Sequence, residues 1–158
     1  MGPAAHLLSA SLIAVAAARV RPEQTPYVAA ALIAAVAVDA DHLAFVVRNR
    51  AAFDRRIGYT GQLHNSRSPL HELPGLLLLG VLCALIFPLD ATLAAVIFIA
   101  FAIHLAQDWV LGVTHPFAPF DDTLIRFFTL NLSQKVAIDL LVMAVSGGLW
   151  IAYLSGRA

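Results

Sequence analysis

Charged residues are scarce in this 158-residue chain, where Asp, Glu, Lys and Arg together make up 13% of the sequence. Soluble globular proteins carry about twice that share, roughly 25% charged residues. Hydrophobic residues make up 60% of this sequence, and its mean hydropathy is +0.81. A soluble core of this length cannot bury so much apolar surface, and a disordered chain requires the opposite composition. The composition therefore predicts a single domain, residues 1–158, that lies in a lipid bilayer.

Cysteine and net charge are nearly absent as well. Cys83 is the only cysteine, so the chain forms no internal disulfide and gives no sign of an oxidising compartment. Ten basic residues balance ten acidic ones, which excludes the strongly basic surface typical of nucleic-acid-binding proteins. We therefore expect no nucleic-acid partner.

Long apolar segments make up most of the chain. A bilayer core about 30 Å thick requires roughly 20 mostly apolar helical residues, and helices satisfy their own backbone hydrogen bonds in lipid. No basic residue precedes the first segment, which favours a membrane span over a cleaved signal sequence. We predict an all-α fold, an integral membrane helical bundle with about five transmembrane helices, over residues 4–20, 26–47, 73–89, 91–112 and 136–154.

Basic residues in the predicted connections indicate the orientation. Seven of them follow the second and fourth segments, and three lie on the opposite side. The larger set is Arg48, Arg50, Arg55, Arg56, Arg67, Arg126 and Lys135. Because basic loops remain in the cytoplasm, we expect a multi-pass protein of the cytoplasmic (inner) membrane with its N-terminus inside.

All six histidines fall at the cytoplasmic end of this predicted bundle, because neighbouring helices alternate in direction. Several carboxylates accompany them. Ionisable side chains within spans are costly; they usually face the bundle interior and mark functional sites. The candidate metal ligands are His6, Asp39, Asp41, His42, His64, His71, His104, Asp108 and His115.

Two residue pairs have the spacing of metal ligands on one helix. Asp39 and His42 are three residues apart, and His104 and Asp108 are four apart, so each pair shares a helix face. His and carboxylate donors suit zinc, manganese or non-haem iron. The pattern predicts a site for one or two divalent ions, with zinc as the first choice.

Three further residues are candidates for catalysis. Glu72, or a carboxylate not used as a ligand, would take a proton from water, and Arg67 would offset charge that develops on a phosphoryl or carbonyl oxygen. Asp139 would be a hydrogen-bond partner for a ligand histidine. Non-catalytic explanations exist too, since His71 and Glu72 also suit a polar first helical turn and the loop arginines suit an anionic membrane surface.

The order of these motifs resembles the family of membrane-bound metal-dependent hydrolases, small integral-membrane proteins that include LexA-regulated inner-membrane members. The resemblance rests on His6, on the Asp-Ala-Asp-His run at 39–42, on His64 and His71 around a basic loop, and on His104-x-x-x-Asp108. The middle motif departs from the family pattern, because Asn65 follows His64 and Glu72 follows His71. The resemblance implies a metal-dependent hydrolase in the membrane.

A weaker similarity points to phosphoester chemistry. His104-x-x-x-Asp108 with His115 downstream is similar to part of the site of zinc-dependent phospholipases C. We therefore expect the substrate to be a membrane lipid or another amphiphilic (phospho)ester. The alternatives are a membrane oxidative enzyme with non-haem iron, a metal transporter, and a non-catalytic scaffold or metal-binding protein. The polar residues stop at one end of the bundle, which argues against the transporter.

Overall fold

The computed structural model describes residues 2–40, 68–121 and 123–156. In these residues the chain forms five α-helices: α1 (Pro3–Ala17), α2 (Thr25–Ala37), α3 (Leu73–Ile86), α4 (Ala91–Leu111) and α5 (Leu132–Leu154). A 3-10 turn, Pro69–His71, precedes α3, and an isolated antiparallel bridge joins Thr114 to Ile125. The described part of the chain contains no β-strand, which confirms the all-α prediction.

Local sequence sets where each helix begins. A proline lies in the first turn of α1, α2 and α3, a position where its missing N–H costs nothing. Asp90 caps α4, because its Oδ1 accepts from the Leu93 N–H at 2.9 Å. This backbone donor holds the pKa of the Asp90 carboxyl below its usual range. Asn131 and Gln134 form a reciprocal capping box at the start of α5.

Several helix boundaries differ from the prediction. α1 ends at Ala17 rather than 20 and α3 at Ile86 rather than 89, and the two largest differences are in α5 and α2. α5 begins at Leu132, four residues before the predicted position, because the capping box satisfies the first N–H groups there. α2 ends at Ala37 rather than 47. The chain tightens at that point, since the Asp39 N–H bonds the Val36 carbonyl three residues back at 3.0 Å. Residues 41–47 lie outside the described part of the chain.

Two of the helices in the described residues are long and apolar enough to cross a membrane. These are α4 and α5, with 21 and 23 residues. α1, α2 and α3 contain 15, 13 and 14 residues, which corresponds to about 20–23 Å of helix, less than the bilayer core of about 30 Å. The described residues thus support a helical bundle without confirming five membrane spans.

Small side chains form most of the interior. α1, α2 and α4 pack against one another, α5 packs on α1, and α3 packs on α4. Alanine dominates the buried positions, which include Ala5, Ala10, Ala14, Ala31, Ala34, Ala35, Ala94 and Ala100. Small residues let helix backbones approach closely, as they do between helices in membranes. The large apolar side chains of α3 and α5 mostly face outward, among them Leu77, Val81, Leu85, Leu140, Leu141 and Ile151.

One glycine permits a close approach near the start of α3. A Cβ atom at Gly75 would clash with the Leu70 carbonyl oxygen and would lie 2.5 Å from the Leu70 Cα. Leu70 belongs to the 3-10 turn that also contains His71. Gly75 therefore lets this turn fold back onto the first turn of α3.

We expect Gly75→Ala to destabilise the protein by about 1–3 kcal/mol, because the added methyl forces the turn away from α3. Thermal unfolding in detergent measures this effect. Gly80→Ala on the same helix is the matched control, since its Cβ would meet Phe98 at an ordinary 3.6 Å. Equal melting temperatures for the two variants would contradict this account of Gly75.

Candidate metal centre

Five polar side chains from four parts of the chain converge inside the bundle. They come from the start of α1, the end of α2, the 3-10 turn and the end of α4, and we call them the His/Asp cluster: His6, Asp39, His71, His104 and Asp108. His71 and His104 are 0% exposed, His6 is 2% exposed and Asp108 is 4% exposed. Burial of this many polar side chains in an apolar bundle is costly unless they bond to one another or to a bound ion.

The Nε2 atoms of the three histidines face carboxylate oxygens. His6 Nε2 lies 3.0 Å from Asp108 Oδ1, and His104 Nε2 lies 3.8 Å from Asp108 Oδ2. Asp39 Oδ1 lies 3.5 Å from both His71 Nε2 and His104 Nε2. The rings of His6 and His104 stack, with centroids 4.1 Å apart, so their nitrogens open onto the same space.

A backbone carbonyl fixes the tautomer of His104. Its Nδ1 lies 2.6 Å from the Ala35 carbonyl oxygen, and because a carbonyl only accepts, Nδ1 carries the proton. In the neutral ring Nε2 then holds a lone pair. This buried atom has no hydrogen-bond partner among the described residues.

A chain of side-chain hydrogen bonds fixes the tautomer of His6 in the same way. Ser9 Oγ donates to the Ala5 carbonyl at 2.6 Å and accepts from Gln107 Nε2 at 2.8 Å. The amide of Gln107 is thereby oriented with Oε1 toward His6 Nδ1, 2.9 Å away. His6 Nδ1 therefore donates its proton to Gln107, and the lone pair of His6 Nε2 faces Asp108.

These lone pairs opposite carboxylate oxygens repel unless a cation or an added proton lies between them. The donor set fits a metal ion, because a tetrahedral zinc ion with bonds of about 2.0–2.1 Å separates its ligand atoms by about 3.3 Å. The nitrogen–oxygen separations of 3.0, 3.5 and 3.8 Å bracket that value. Histidines that ligate metals also donate their other ring N–H to a fixed acceptor, as His6 and His104 do.

Two groups of potential ligands share one histidine. One consists of His6, His104 and Asp108, the other of Asp39, His71 and His104, and the ligand atoms within each group lie within 4.8 Å of one another. The Nδ1 of His104 already donates to the Ala35 carbonyl, so only Nε2 is available to ligate a metal. Its single lone pair binds one ion. The shared histidine favours a single ion, with any second ion held through the carboxylates.

Two predicted site residues lie beside the cluster and hold a loop. Glu72 is 3% exposed, and its carboxylate accepts from the Thr114 hydroxyl and from the His115 N–H, the latter at 3.1 Å. These contacts fasten the loop after α4 to the start of α3. They favour a positioning role for Glu72 over the predicted general base. Neither three-residue group contains His115, whose backbone makes the contact to Glu72.

The remaining predicted residues lie elsewhere. Asp139 on α5 accepts from the Gly2 N–H through Oδ2 at 3.0 Å and belongs to neither three-residue group of the described residues. In the described residues its partner is the backbone N–H of Gly2, at the N-terminus of α1. Asp41, His42, His64 and Arg67 lie outside the described residues, and their predicted roles stay predictions.

Two neutral side chains near the cluster do not appear in the sequence prediction. Gln107 orients His6, and Trp109 Nε1 donates to the His71 carbonyl at 3.2 Å, which anchors the 3-10 turn to α4. Both are uncharged, whereas every predicted site residue is ionisable. The sequence does contain one indication of this role. Gln107 places an uncharged amide in an apolar helix, and such an amide requires hydrogen-bond partners inside the bundle.

Comparisons with known proteins place the chain in a membrane family. The family described as YdjM inner membrane protein matches residues 1–157, so the chain belongs to that family. No curated protein and no solved structure matches the chain. The family match supports a location in the inner membrane, and it carries no information on a hydrolase activity or on similarity to phospholipases C.

Replacement of Gln107 tests its role in orienting His6. We expect Gln107→Leu to weaken metal affinity by about 10–100-fold, because the His6 ring loses the acceptor that holds its tautomer. Gln107→Glu, which keeps an acceptor oxygen, is the control and is expected to retain affinity. Metal titration of the purified proteins in detergent measures both. Unchanged affinity in Gln107→Leu would remove Gln107 from the site.

Proposed function

We propose that this member of the YdjM inner membrane protein family is a metal-dependent hydrolase that acts on a lipid or another amphiphilic phosphoester. The observation that carries the proposal is the fixed tautomer of His6 and of His104. Each ring donates its Nδ1 proton to an oriented acceptor and turns Nε2 toward carboxylate oxygens. Such a preorganised set of lone pairs suits a divalent cation.

The His/Asp cluster would hold the ion through imidazole nitrogens and carboxylate oxygens. This mixed donor set suits zinc first and manganese or iron next. When bound, an ion of this kind supplies Lewis acidity to water and to a phosphoryl or carbonyl oxygen. The protein's own part is to place the ligands and to exclude bulk water around them.

Asp39 is the best-placed carboxylate to accept a proton from water. Its Oδ1 faces His71 and His104, while its Oδ2 is buried without a hydrogen-bond partner among the described residues. The side chain is 24% exposed, more than any other residue of the cluster. Asp39 therefore connects the buried cluster to the outside, where substrate arrives.

The membrane arrangement in this proposal is a five-helix bundle with the N-terminus inside and the cluster at the cytoplasmic end. The outward apolar faces of α3 and α5 support contact with lipid. The loop that follows α4 at the cluster end exposes the aromatic residues Phe117, Phe120, Phe127 and Phe128. Aromatic rings at this level suit the membrane interface, and an interfacial site suits an amphiphilic substrate.

A structural metal site is the second candidate. Structural sites are closed, whereas catalytic sites keep a position open to substrate. Four of the five cluster side chains are at most 6% exposed, which favours a closed site. Under this alternative the ion would hold α1, α2 and α4 together, and its removal would unfold the bundle.

Metal content distinguishes a metal site from a protonated histidine cluster. We expect the detergent-purified protein to contain stoichiometric zinc or manganese, and His104→Ala and Asp108→Ala to lose it while they keep their helical circular dichroism. Glu23→Ala, an exposed carboxylate outside the cluster, is the control and keeps the metal. Well-folded wild-type protein without metal, even after reconstitution, would overturn the proposal, and iron would favour the oxidative enzyme.

Hydrolysis of lipid-like phosphodiesters distinguishes the enzyme from the structural site. We expect metal-dependent turnover that Asp39→Asn lowers by about 10²–10⁴-fold, because proton transfer contributes that much. The turnover number is measured in mixed micelles at full metal occupancy. Metal-loaded protein without turnover, which unfolds when a chelator removes the ion, would establish the structural alternative.

A further inference from the structure

A second polar site lies between the end of α4 and the start of α5. A cavity of about 250 Å³ opens there between Gly2, Leu111, Leu130 and Val136, and we call it the α4–α5 cavity. Its charged wall consists of Lys135 and Asp139, which are four residues apart on one face of α5. A neighbouring cavity of about 150 Å³ shares Lys135 and adds Arg126.

The volume and the lining suit a small amphiphile. Together the two cavities fall in the range of small-molecule pockets, about 300–1,000 Å³. The larger cavity has mostly apolar walls, whereas the smaller one is lined by more polar than apolar surface, and the polar side chains of the two cavities are those of Arg126, Thr129, Lys135 and Asp139. A mostly apolar pocket with a few convergent polar groups is the usual form of a ligand site.

Asp139 has an unused acceptor beside this cavity. Its Oδ2 accepts from the Gly2 N–H at 3.0 Å, whereas its Oδ1 is buried and has no hydrogen-bond partner among the described residues. A buried carboxylate oxygen without a donor is costly. A ligand that brings an ammonium or hydroxyl donor would satisfy this oxygen.

The cavity lies one helical turn from the His/Asp cluster on two helices. The His6 N–H bonds the Gly2 carbonyl at 3.2 Å in α1, and the Gly112 N–H bonds the Asp108 carbonyl at 2.9 Å at the end of α4. Gly2 and Gly112 line the cavity, while His6 and Asp108 belong to the cluster. Four residues correspond to about 6 Å along a helix, so the cavity lies close to the cluster on both helices.

We infer that the α4–α5 cavity binds the head group of a phospholipid that carries a hydrogen-bond donor, such as ethanolamine or glycerol. Arg126 and Lys135 contact the phosphate, Asp139 Oδ1 accepts from the ammonium or hydroxyl, and the apolar wall contacts the first acyl carbons. The statement that this lipid is the substrate rests on the proposed function. The binding itself does not.

Charge complementarity selects this ligand over simpler ones. The positive charges of Arg126 and Lys135 complement the negative phosphodiester, and the Asp139 carboxylate accepts from the hydrogen-bond donor at the far end of the head group. A choline head group has the same phosphate but no N–H or O–H donor, so it leaves Asp139 Oδ1 unsatisfied. Free inorganic phosphate lacks the apolar portion that the walls would contact.

Binding of a short-chain lipid to the detergent-purified full-length protein tests the inference. The probe is dihexanoyl phosphatidylethanolamine, compared by calorimetry with the phosphatidylcholine analogue and with inorganic phosphate. We expect the ethanolamine lipid to bind about tenfold more tightly than the choline lipid, since one hydrogen bond to a charged group accounts for that ratio. Equal affinity for the two lipids, or tighter binding of inorganic phosphate, would overturn the inference.

Three variants identify the residues responsible. Asp139→Asn should abolish the preference for ethanolamine while it keeps an acceptor for Gly2, and Lys135→Gln should weaken both lipids by about tenfold. Arg21→Gln, an exposed charge outside both cavities, is the matched control and should change neither affinity by more than about twofold. If Lys135→Gln and Asp139→Asn bind both lipids as wild type does, the inference is wrong.

The same variants separate this inference from the proposed function. His104→Ala should lose metal and keep the lipid preference, because His104 does not line the cavity. Lipid binding without turnover would support the cavity site and contradict the hydrolase. Turnover that is insensitive to both Lys135→Gln and Asp139→Asn would support the hydrolase and contradict the statement that the lipid in the cavity is its substrate.

Discussion

Imidazole lone pairs that face carboxylate oxygens inside an apolar bundle impose the main constraint on this structure. His104 Nδ1 donates a hydrogen bond to the Ala35 carbonyl, and His6 Nδ1 donates one to Gln107. In the neutral ring Nε2 then carries no proton, so it cannot donate a hydrogen bond to the carboxylate beside it. Buried charge of one sign without a partner is costly. A cation in the cluster would relieve this repulsion and tie three helices together.

The rest of the bundle brings these groups within reach of one another. Alanines at the contacts of α1, α2 and α4 let the backbones approach closely enough for a carbonyl of α2 to meet a ring on α4. Gly75 likewise lets the 3-10 turn that contains His71 lie close to the backbone of α3. Glu72 and Trp109 then fix this turn to the end of α4 and the loop beyond it. These contacts thus hold the helices and the turn in the positions that bring the cluster residues together.

The candidate site was predictable in part. His104 and Asp108 share a face by helical periodicity. The predicted alternation of helix direction puts His6, Asp39 and His71 at the same end, and in the structure these side chains lie near His104 and Asp108. The role of Glu72 was not predictable, because its partners Thr114 and His115 are more than forty residues away. Gln107 was passed over because it carries no charge, although its amide decides which nitrogen of His6 bears the proton.

The sequence by itself determined the helical fold, the apolar character and, among the described residues, the nearness of His104 and Asp108 on one helix face. These properties follow from composition and from local periodicity, which act over a few residues. Only the tertiary structure decided the tautomers of His6 and His104 and the pairing of Asp139 with Gly2. Those contacts join residues 101, 69 and 137 positions apart, and no local pattern encodes which acceptor a side chain meets once the helices have packed.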